Sequence, residues 1–412
     1  MKADFVLRGA GRLVTCSPGL GEGPLGVIEG GALAAFEGVV RWVGTERDLP
    51  GSDFEDAAVE FDARGNCVIP GLVDCHTHLV FAGDRSEEFA ARLAGKAYQA
   101  GGVRMTVEAT RAASDEELAH LAADRLKRFL SFGVTTIEAK SGYGLTPEHE
   151  RRLLEIAARL TGPVDVVRTF MGAHVLPPEY ADDPNGYVEL VCEGMIPAVG
   201  NLAEFADVWC DEGAFTVEQG RKILRAARAE GLSLKVHAEQ LSHSGGAALA
   251  AEFGAISADH LEHATEEDAD ALASTRTIGV LLPGASMMAG GHFAPARMLI
   301  DRGVHVAIST DFNPGTSYTE NLILMLALAC VEMKMTPEEA ILGATRHAAA
   351  ALAREGKIGS LETGAQCDLL VLDSKSELDL VYHYGVSPAM SVVKRGEAVT
   401  GSLVLTNRPV GM

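Results

Sequence analysis

Short apolar segments alternate with longer amphipathic segments through the central part of the chain, from Cys67 to about Ala350. This alternation is typical of repeated β-α units around a parallel sheet. The segments predicted to be strands are residues 68–78, 133–140, 165–173, 206–210, 233–239, 257–263, 278–283 and 304–310. Eight such units are the number that closes a (β/α)8 barrel. The predicted class is therefore α/β, with a TIM-like barrel as its main body.

Helix-start signals indicate that segments between these strands are helices. Ser114-Asp-Glu-Glu117 forms a capping-box pattern before an apolar run of helical period, and it predicts a helix over 114–132. Similar caps predict helices over 146–160, 216–230 and 336–352. We interpret all four as ordinary packing helices.

The two ends of the chain do not continue the barrel pattern. Residues 1–61 are rich in glycine and in short apolar alternations that are typical of hairpins, and residues 358–405 return to that style. We expect the two ends to pair. The predicted organisation is a composite β-sandwich domain from residues 1–66 and 351–412, with the barrel spanning 67–350.

Composition and charge narrow the choice of partners. Hydrophobic residues make up 47% of the 412 residues, and the formal net charge is −22. The negative charge argues against nucleic acid or an anionic membrane as a partner. An anionic small substrate would need a local basic group. Because the chain shows neither a signal-peptide pattern nor an apolar run of about 18 residues, we expect a soluble, cytoplasmic protein.

The cysteines point to reduced thiols. Their number is odd, they are widely scattered, and none forms a Cys-x-x-Cys pair, so neither a disulfide framework nor a zinc knuckle is indicated. Cys75 neighbours a histidine on the first predicted strand, and its side chain should therefore face away from that histidine.

Polar side chains collect where the predicted strands end, which is the active face of a (β/α)8 barrel. The polar residues at or just beyond strand exits are His76, His78 and Arg85, then Tyr143, His174, His237, Gln240, His260 and His263, and finally the turn of Asp311, Asn313, Gly315 and Thr316. Each has an ordinary alternative when considered alone. His237 could be a core histidine, Asp311 a turn cap and Arg85 a solvated loop charge.

The spacing of His76 and His78 predicts a metal site. Residues i and i+2 of a strand face the same side, so both imidazoles can reach one ion. With His237 and Asp311 they form a set of three imidazoles and one carboxylate, which suits zinc or ferrous iron. Such an ion lowers the pKa of its bound water to about 7, which favours metal-assisted hydrolysis. Asp311 would take the proton, and His260 would share the general-base role.

These motifs mark a family resemblance. The segments Pro70-Gly-Leu-Val-Asp-Cys-His-Thr-His78, Lys140-Ser-Gly-Tyr-Gly144 and Thr310-Asp-Phe-Asn-Pro-Gly315, with Arg85, extend through the whole predicted barrel. On these residues the chain resembles the amidohydrolase superfamily and, within it, the imidazolonepropionase family. The strand-one motif alone would indicate only the superfamily.

The resemblance implies a reaction and roles for the site residues. The family opens the ring of 4-imidazolone-5-propanoate to N-formimidoyl-L-glutamate in histidine degradation, using one zinc or iron ion. It implies that the metal ligands are His76, His78, His237 and Asp311. It implies further that substrate or product is held by Arg85, Tyr143, His174, Gln240, Asn313, Gly315 and Thr316. We expect His174 also to polarise the ring carbonyl oxygen.

The chain departs from the family pattern at three places. Position 75 is Cys where the family usually has Pro, and position 240 is Gln where some members have Glu. After Gly101 and Gly102 the chain lacks a longer glycine-rich run, so a different loop over the pocket is expected. The fourth strand has no lysine suited to carbamylation, which favours a mononuclear centre. Lys140 is interpreted as a structural or supporting residue.

Two other functions stay open at this stage. One is a deaminase of the same superfamily that acts on a nitrogen heterocycle, and the other is a catalytically silent barrel that serves binding or assembly. The sequence leaves open the choice between zinc and iron, the main proton acceptor among Asp311 and His260, and the formation of a homodimer.

Overall fold

A barrel of eight parallel strands forms the main body of the computed structural model, which describes residues 3–50, 59–94 and 102–401. Its strands are β6 (Leu72–Asp74), β7 (Val134–Lys140), β8 (Asp165–Ala173), β9 (Phe205–Cys210), β10 (Ser233–Ala238), β11 (Ser257–His260), β12 (Ile278–Leu281) and β13 (Val306–Ile308). Each strand pairs in parallel with the next in chain order. The predicted (β/α)8 class is confirmed.

The two ends of the barrel sheet meet through residues beyond the strands. Thr77 forms a parallel bridge with Phe312, and the His78 N–H donates to the Phe312 carbonyl at 2.8 Å. The Asp74 carboxylate accepts hydrogen bonds from the side chains of Ser309 and Thr310. These contacts hold the chain after β6 against the chain after β13.

The first predicted strand is wrong in its extent. Residues 68–78 do not form one strand, because the structure divides this stretch between two sheets. Cys67–Pro70 is β5 of the terminal sheet, and only Leu72–Asp74 belongs to the barrel. His76 and His78 therefore lie just after the strand, where the bridge of Thr77 keeps the backbone extended.

The two ends of the chain form a second sheet. Its strands are β1 (Phe5–Val14), β2 (Val27–Phe36), β3 (Val39–Thr45), β4 (Val59–Asp62), β5, β14 (Leu369–Leu372), β15 (Ala389–Lys394) and β16 (Glu397–Thr400). The order is β16-β15-β14-β5-β1-β2-β3, with β4 also paired to β1. Pairing is continuous, so the two layers expected of a sandwich are arms of one curled sheet. The domain limits 1–66 with 351–412, and 67–350, stay a prediction.

Alternating side chains give this sheet two apolar faces. Val68, Leu369 and Val371 lie in a core with Leu33 and Val40 of the opposite arm. The intervening residues, Ile69, Leu370 and Leu372, belong instead to the large barrel core. Because side chains alternate between the two faces of the sheet, one face forms the core inside the curl and the other packs against the barrel.

Helices surround the barrel. They are α1 (Ser86–Leu93), α2 (Gly102–Ala112), α3 (Asp115–Ser131), α4 (Pro147–Arg159), α5 (Pro184–Glu189), α6 (Ile196–Val199), α7 (Val217–Ala229), α8 (Gly246–Glu252), α9 (Glu266–Thr275), α10 (Pro283–Ala289), α11 (Ala296–Asp301), α12 (Leu322–Val331), α13 (Pro337–Gly343), α14 (Arg346–Ala351) and α15 (Asp379–Tyr382). A π-helical turn, Leu190–Met195, precedes α6, and 3-10 turns span Glu46–Asp48, Pro178–Tyr180 and Gly200–Leu202. Among the helices described here, none has both the length and the apolar character needed to cross a bilayer.

The predicted helix caps hold at all four positions. Ser114, Thr146 and Thr216 each accept a backbone N–H at the start of α3, α4 and α7. The helix predicted over 336–352 is wrong as a single element. It begins at a capping box on Thr336 but breaks at Thr345, whose ψ of −98° is not helical, so that α13 and α14 are separate.

Candidate active site

One small cavity collects most of the predicted site residues at the carboxyl ends of the barrel strands. It has a volume of about 40 Å³, and its lining residues are His78, Arg85, Val103, Tyr143, His174, Trp209, His237, Gln240, His260, Asp311, Asn313 and Thr316. An outer cavity of about 370 Å³ shares Arg85 and Thr316 with it and is also lined by Gly315. His76 is fully buried behind the inner cavity.

His76 presents an unused nitrogen toward this cavity. Its Nδ1 lies 2.6 Å from Asp259 Oδ2, so this nitrogen carries the ring proton against the carboxylate. Its Nε2 is buried, has no hydrogen-bond partner among the described residues, and lies 3.5 Å from Asp311 Oδ1. A buried lone pair facing a carboxylate oxygen is the arrangement that a cation completes.

The candidate ligand atoms form two overlapping groups with His76 in common. Ligand atoms of His76, His78 and Asp311 lie within 4.8 Å of one another, and so do those of His76, His237 and His260. The structure thus brings the other three predicted ligands, His78, His237 and Asp311, close to His76. It also places His260, which we expected to act only in proton transfer, within the same distance.

Neighbouring oxygens favour one tautomer of these histidines. The Nδ1 of His78 lies 3.4 Å from the Ser141 carbonyl, and the Nδ1 of His237 lies 3.0 Å from Asp207 Oδ2, close enough for the carboxylate to attract the ring proton although the contact lacks hydrogen-bond geometry. As in His76, an oxygen acceptor at Nδ1 leaves Nε2 with the lone pair that binds a metal. Burial lowers the pKa of His76, His78 and His237, which favours the neutral form that a ligand requires.

His174 occupies the predicted place but its hydrogen bonding favours a different role. Its ring stacks on His78 with centroids 4.8 Å apart, and its Nδ1 lies 3.0 Å from the Gly142 carbonyl. Burial lowers the pKa of His174 to about 3, so the ring is neutral and its proton is on Nδ1. The Nε2 is then an acceptor, which suits a substrate ring N–H rather than the carbonyl oxygen that we expected it to polarise.

Asp311 and His260 lie at strand exits with unusual backbone geometry. Both have positive φ, 51° and 82°, which costs energy for non-glycine residues and aims their side chains into the barrel mouth. Burial raises the pKa of Asp311 to about 7, and a bound cation would favour its carboxylate form. Burial would lower the pKa of His260, but three nearby carboxylates together raise it, namely Glu262, with Oε2 at 3.7 Å from Nδ1, Asp311 and Asp259.

Arg85 bridges the inner and outer cavities. Its side chain is almost fully buried, and Nε and Nη2 make a bidentate pair with Glu88 at 2.7 and 2.8 Å. A Cβ built on Gly315 would lie 2.2 Å from Arg85 Nη1. Glycine at 315 therefore allows the guanidinium to approach the Asp311–Thr316 turn.

Two supporting structures fix the loops of the site. Asn313 uses its side chain inside its own turn, accepting from Gly315 N and Thr316 N and donating to the Asp311 carbonyl. The loop that carries Tyr143 is held from behind by a buried carboxylate, that of Glu150. Asn313 thus shapes the cavity wall from within the turn.

Several residues of the site were missed by sequence reasoning. Trp209 lines the inner cavity, and its buried indole Nε1 has no hydrogen-bond partner among the residues described. A set of buried charges lies beneath the histidines, namely Glu138, Lys235, Asp207 and Asp259, together with the Lys140 already noted. Polar residues at alternate positions, as in Glu138-x-Lys140 and Lys235-x-His237, were the available signal, since they place charges on one strand face.

The structure also places His263, Cys75 and the segment after Gly102, about which the sequence raised expectations. His263 is not part of β11, and it stacks on His292 with ring centroids 4.5 Å apart, away from the inner cavity. Cys75 is fully buried in an apolar cluster that includes Phe205 and Val280, and it belongs to none of the groups of described residues that could hold a metal ion. The segment after Gly102 is not a loop but the first turn of α2, whereas Gly101 and residues 95–100 lie outside the described part of the chain.

The family model for the amidohydrolase family matches residues 67–404, which include the whole barrel and the strands that follow it. The chain belongs to the amidohydrolase family. Its curated relatives within this family include imidazolonepropionases. The one from Mycolicibacterium smegmatis is 47% identical over 94% of this chain and 96% of its own length. The one from Geobacillus kaustophilus is 48% identical over 91% of both chains. At this similarity the chain falls among the imidazolonepropionases.

Solved structures support the fold at much lower sequence identity. An adenosine deaminase from Xanthomonas campestris with bound zinc superposes with a TM-score of 0.72 at 18% identity, covering 98% of this chain and 95% of its own. A 5-methylcytosine deaminase from Klebsiella pneumoniae has a TM-score of 0.75 at 15% identity, covering 96% of this chain and 97% of its own. These likenesses concern the architecture alone.

Proposed function

We propose that this chain is a metal-dependent hydrolase that opens the ring of 4-imidazolone-5-propanoate to give N-formimidoyl-L-glutamate. The observation that carries the proposal is identity near 47% with imidazolonepropionases over almost the whole chain. The cavity supports it, because an almost buried arginine lies beside a cluster of histidines and a carboxylate. A substrate with a propionate needs such a cation in an otherwise acidic protein.

The residues around His76 fit one zinc or ferrous ion. The donors would be His76, His78, His237 and Asp311, all of them buried. His78 and Asp311 form one candidate group with His76, and His237 belongs to another group that includes His76. Three neutral imidazoles and a carboxylate suit either ion. A bound ion of this kind supplies Lewis acidity and lowers the pKa of a coordinated water.

The remaining side chains bind the substrate and move protons. Arg85 pairs with the propionate, with Tyr143 and the Asn313–Thr316 turn beside it. His174 Nε2 accepts a ring N–H. The indole N–H of Trp209, which has no partner among the described residues, is a donor available to the carbonyl oxygen on the ring. Asp311 takes the proton released by the attacking water, and His260, adjacent to it, returns a proton to the leaving ring nitrogen. Gln240 lines the wall as an amide and takes no part as a base.

The direct test mixes purified, metal-loaded protein with freshly prepared 4-imidazolone-5-propanoate and follows the loss of the ring chromophore. We expect the absorbance to disappear and N-formimidoyl-L-glutamate to form. Unchanged absorbance with metal-replete protein would reject this substrate. Release of ammonia from a nucleobase or related heterocycle would then favour the deaminase alternative.

Substitution of Arg85 distinguishes ring opening of the propionate substrate from deamination of a heterocycle. Loss of a charge-assisted hydrogen bond costs about 1.5–3 kcal/mol, so Arg85→Ala should raise KM roughly 10- to 150-fold, with a smaller effect on kcat. The matched control is Arg104→Ala, because Arg104 is an exposed arginine of α2. An unchanged KM in the Arg85 variant would show that the carboxylate is bound elsewhere.

A further inference from the structure

Five ionisable side chains lie in the barrel interior beneath the candidate metal centre. They are Glu138, Lys140, Asp207, Lys235 and Asp259, and none is more than 1% exposed. Removing a charge from water costs several kcal/mol unless close partners compensate it. The barrel therefore retains these charges only through the contacts that they make with one another.

The two lysines have different partners. Lys140 Nζ lies 2.6 Å from Asp207 Oδ2, 3.1 Å from Glu138 Oε2 and 3.4 Å from Asp259 Oδ2. Lys235 Nζ lies 2.9 Å from Glu138 Oε1 and donates to the Cys75 carbonyl at 3.2 Å. Lys140 alone reaches both aspartates. Its ammonium already fills the place where the carboxylates converge, so this is not a second cation site.

The two aspartates continue from Lys140 to the histidines. Asp259 Oδ2, which faces Lys140, is the same oxygen that lies 2.6 Å from His76 Nδ1. Asp207 Oδ2 in turn lies 2.6 Å from Lys140 and 3.0 Å from His237 Nδ1. Each branch is thus a chain of ammonium, carboxylate and imidazole, and the two branches start from one nitrogen.

We propose that Lys140 is a positioning residue that orients two metal-binding histidines, His76 and His237, through Asp259 and Asp207. The proposal rests on the metal centre of the proposed function. An imidazole binds metal well when its other nitrogen donates to a fixed acceptor. Lys140 fixes both carboxylates at once, since it neutralises them and holds the oxygen that receives the Nδ1 proton of His76 as well as the oxygen that lies 3.0 Å from His237 Nδ1. Lys235 balances Glu138 and has no such role.

Metal binding, measured apart from catalysis, tests whether Lys140 rather than Lys235 orients the metal-binding histidines. Wild-type protein, Lys140→Gln and Lys235→Gln are stripped of metal, then titrated with Zn²⁺ against a chromophoric chelator and with Co²⁺ by visible absorption. We expect Lys140→Gln to weaken zinc binding roughly 10- to 100-fold and to change the Co²⁺ spectrum. Lys235→Gln should keep the wild-type affinity and spectrum, even where its unfolding temperature falls.

The outcomes distinguish the two proposals. Equal weakening in both lysine variants, or none in either, would overturn the positioning role of Lys140. Wild-type protein that binds neither ion would instead reject the metal centre. Should Lys140→Gln not fold, Lys140→Met with Glu138→Gln removes one charge of each sign and leaves both aspartates in place, and Lys235→Met with Glu138→Gln is its match. Weaker zinc binding in the first pair only supports the proposal, and equal binding in the two pairs refutes it.

Discussion

Replacement of Glu150 should destabilise the protein and weaken substrate binding together. Glu150 lies in the first turn of α4 and is fully buried. Its carboxylate accepts the N–H groups of Gly142 at 3.0 Å and of Gly144 and Leu145 at 2.8 Å each. These donors belong to the loop that carries Tyr143. The loop has no regular secondary structure, and this one carboxylate accepts three of its N–H groups.

The magnitude follows from the three donors. A buried N–H left without an acceptor costs about 1–3 kcal/mol, so Glu150→Ala should lower the free energy of unfolding by roughly 3–6 kcal/mol once water reaches part of the loop. Glu150→Gln keeps an oxygen for Gly144 and Leu145 and loses one acceptor, which costs about 1–2 kcal/mol. Burial holds the pKa of Glu150 above its ordinary value, so a neutral side chain is tolerated there.

Urea unfolding and steady-state kinetics measure the two effects. We expect a lower urea midpoint in the order wild type, Glu150→Gln, Glu150→Ala, and a raised KM as Tyr143 loses its position. Glu148→Gln is the control, because Glu148 is an exposed residue in the first turn of the same helix. Wild-type urea midpoints in both Glu150 variants would show that this carboxylate does not stabilise the protein. An unchanged KM would show that the loop of Tyr143 does not contribute to substrate binding.

Three further changes have defined outcomes. Gly315→Ala should raise KM for the propionate substrate by displacing Arg85, and a wild-type KM would show that the guanidinium does not need that space. Trp209→Phe keeps an aromatic ring but removes the indole N–H, and it should lower kcat/KM roughly tenfold, a loss of about 1.4 kcal/mol. Unchanged kinetics would show that the indole N–H does not bind the substrate. Burial lowers the pKa of His347 to about 4. The neutral form is thus favoured in the folded state, and stability is lost as pH falls from about 6.5 toward 4, by at most about 2 kcal/mol at pH 5. His347→Gln should flatten this decline in urea unfolding at pH 5 and 7.5, and an unchanged pH dependence would exclude His347 as its source.

The local pattern of the chain determined where the barrel strands lie. Strands such as Asp165–Ala173 were predicted from their apolar runs, because the strand period of two needs only neighbouring residues to be visible. The same pattern placed His174, His237 and Asp311 at strand exits, which in a closed barrel share one face. The fold class and most of the residues that line the inner cavity were therefore available without coordinates.

Tertiary contacts decided what the local pattern could not. Cys67–Pro70 and Leu72–Asp74 are both short and apolar, and only their partners assign them to different sheets. The proton of His76 is fixed by Asp259, 183 residues away in the chain, and that of His174 by the Gly142 carbonyl. Periodicity reports which residues share a face, whereas tautomers, buried charge pairs and shared ligands depend on distances between remote segments. These distances exist only once the strands have closed into a barrel.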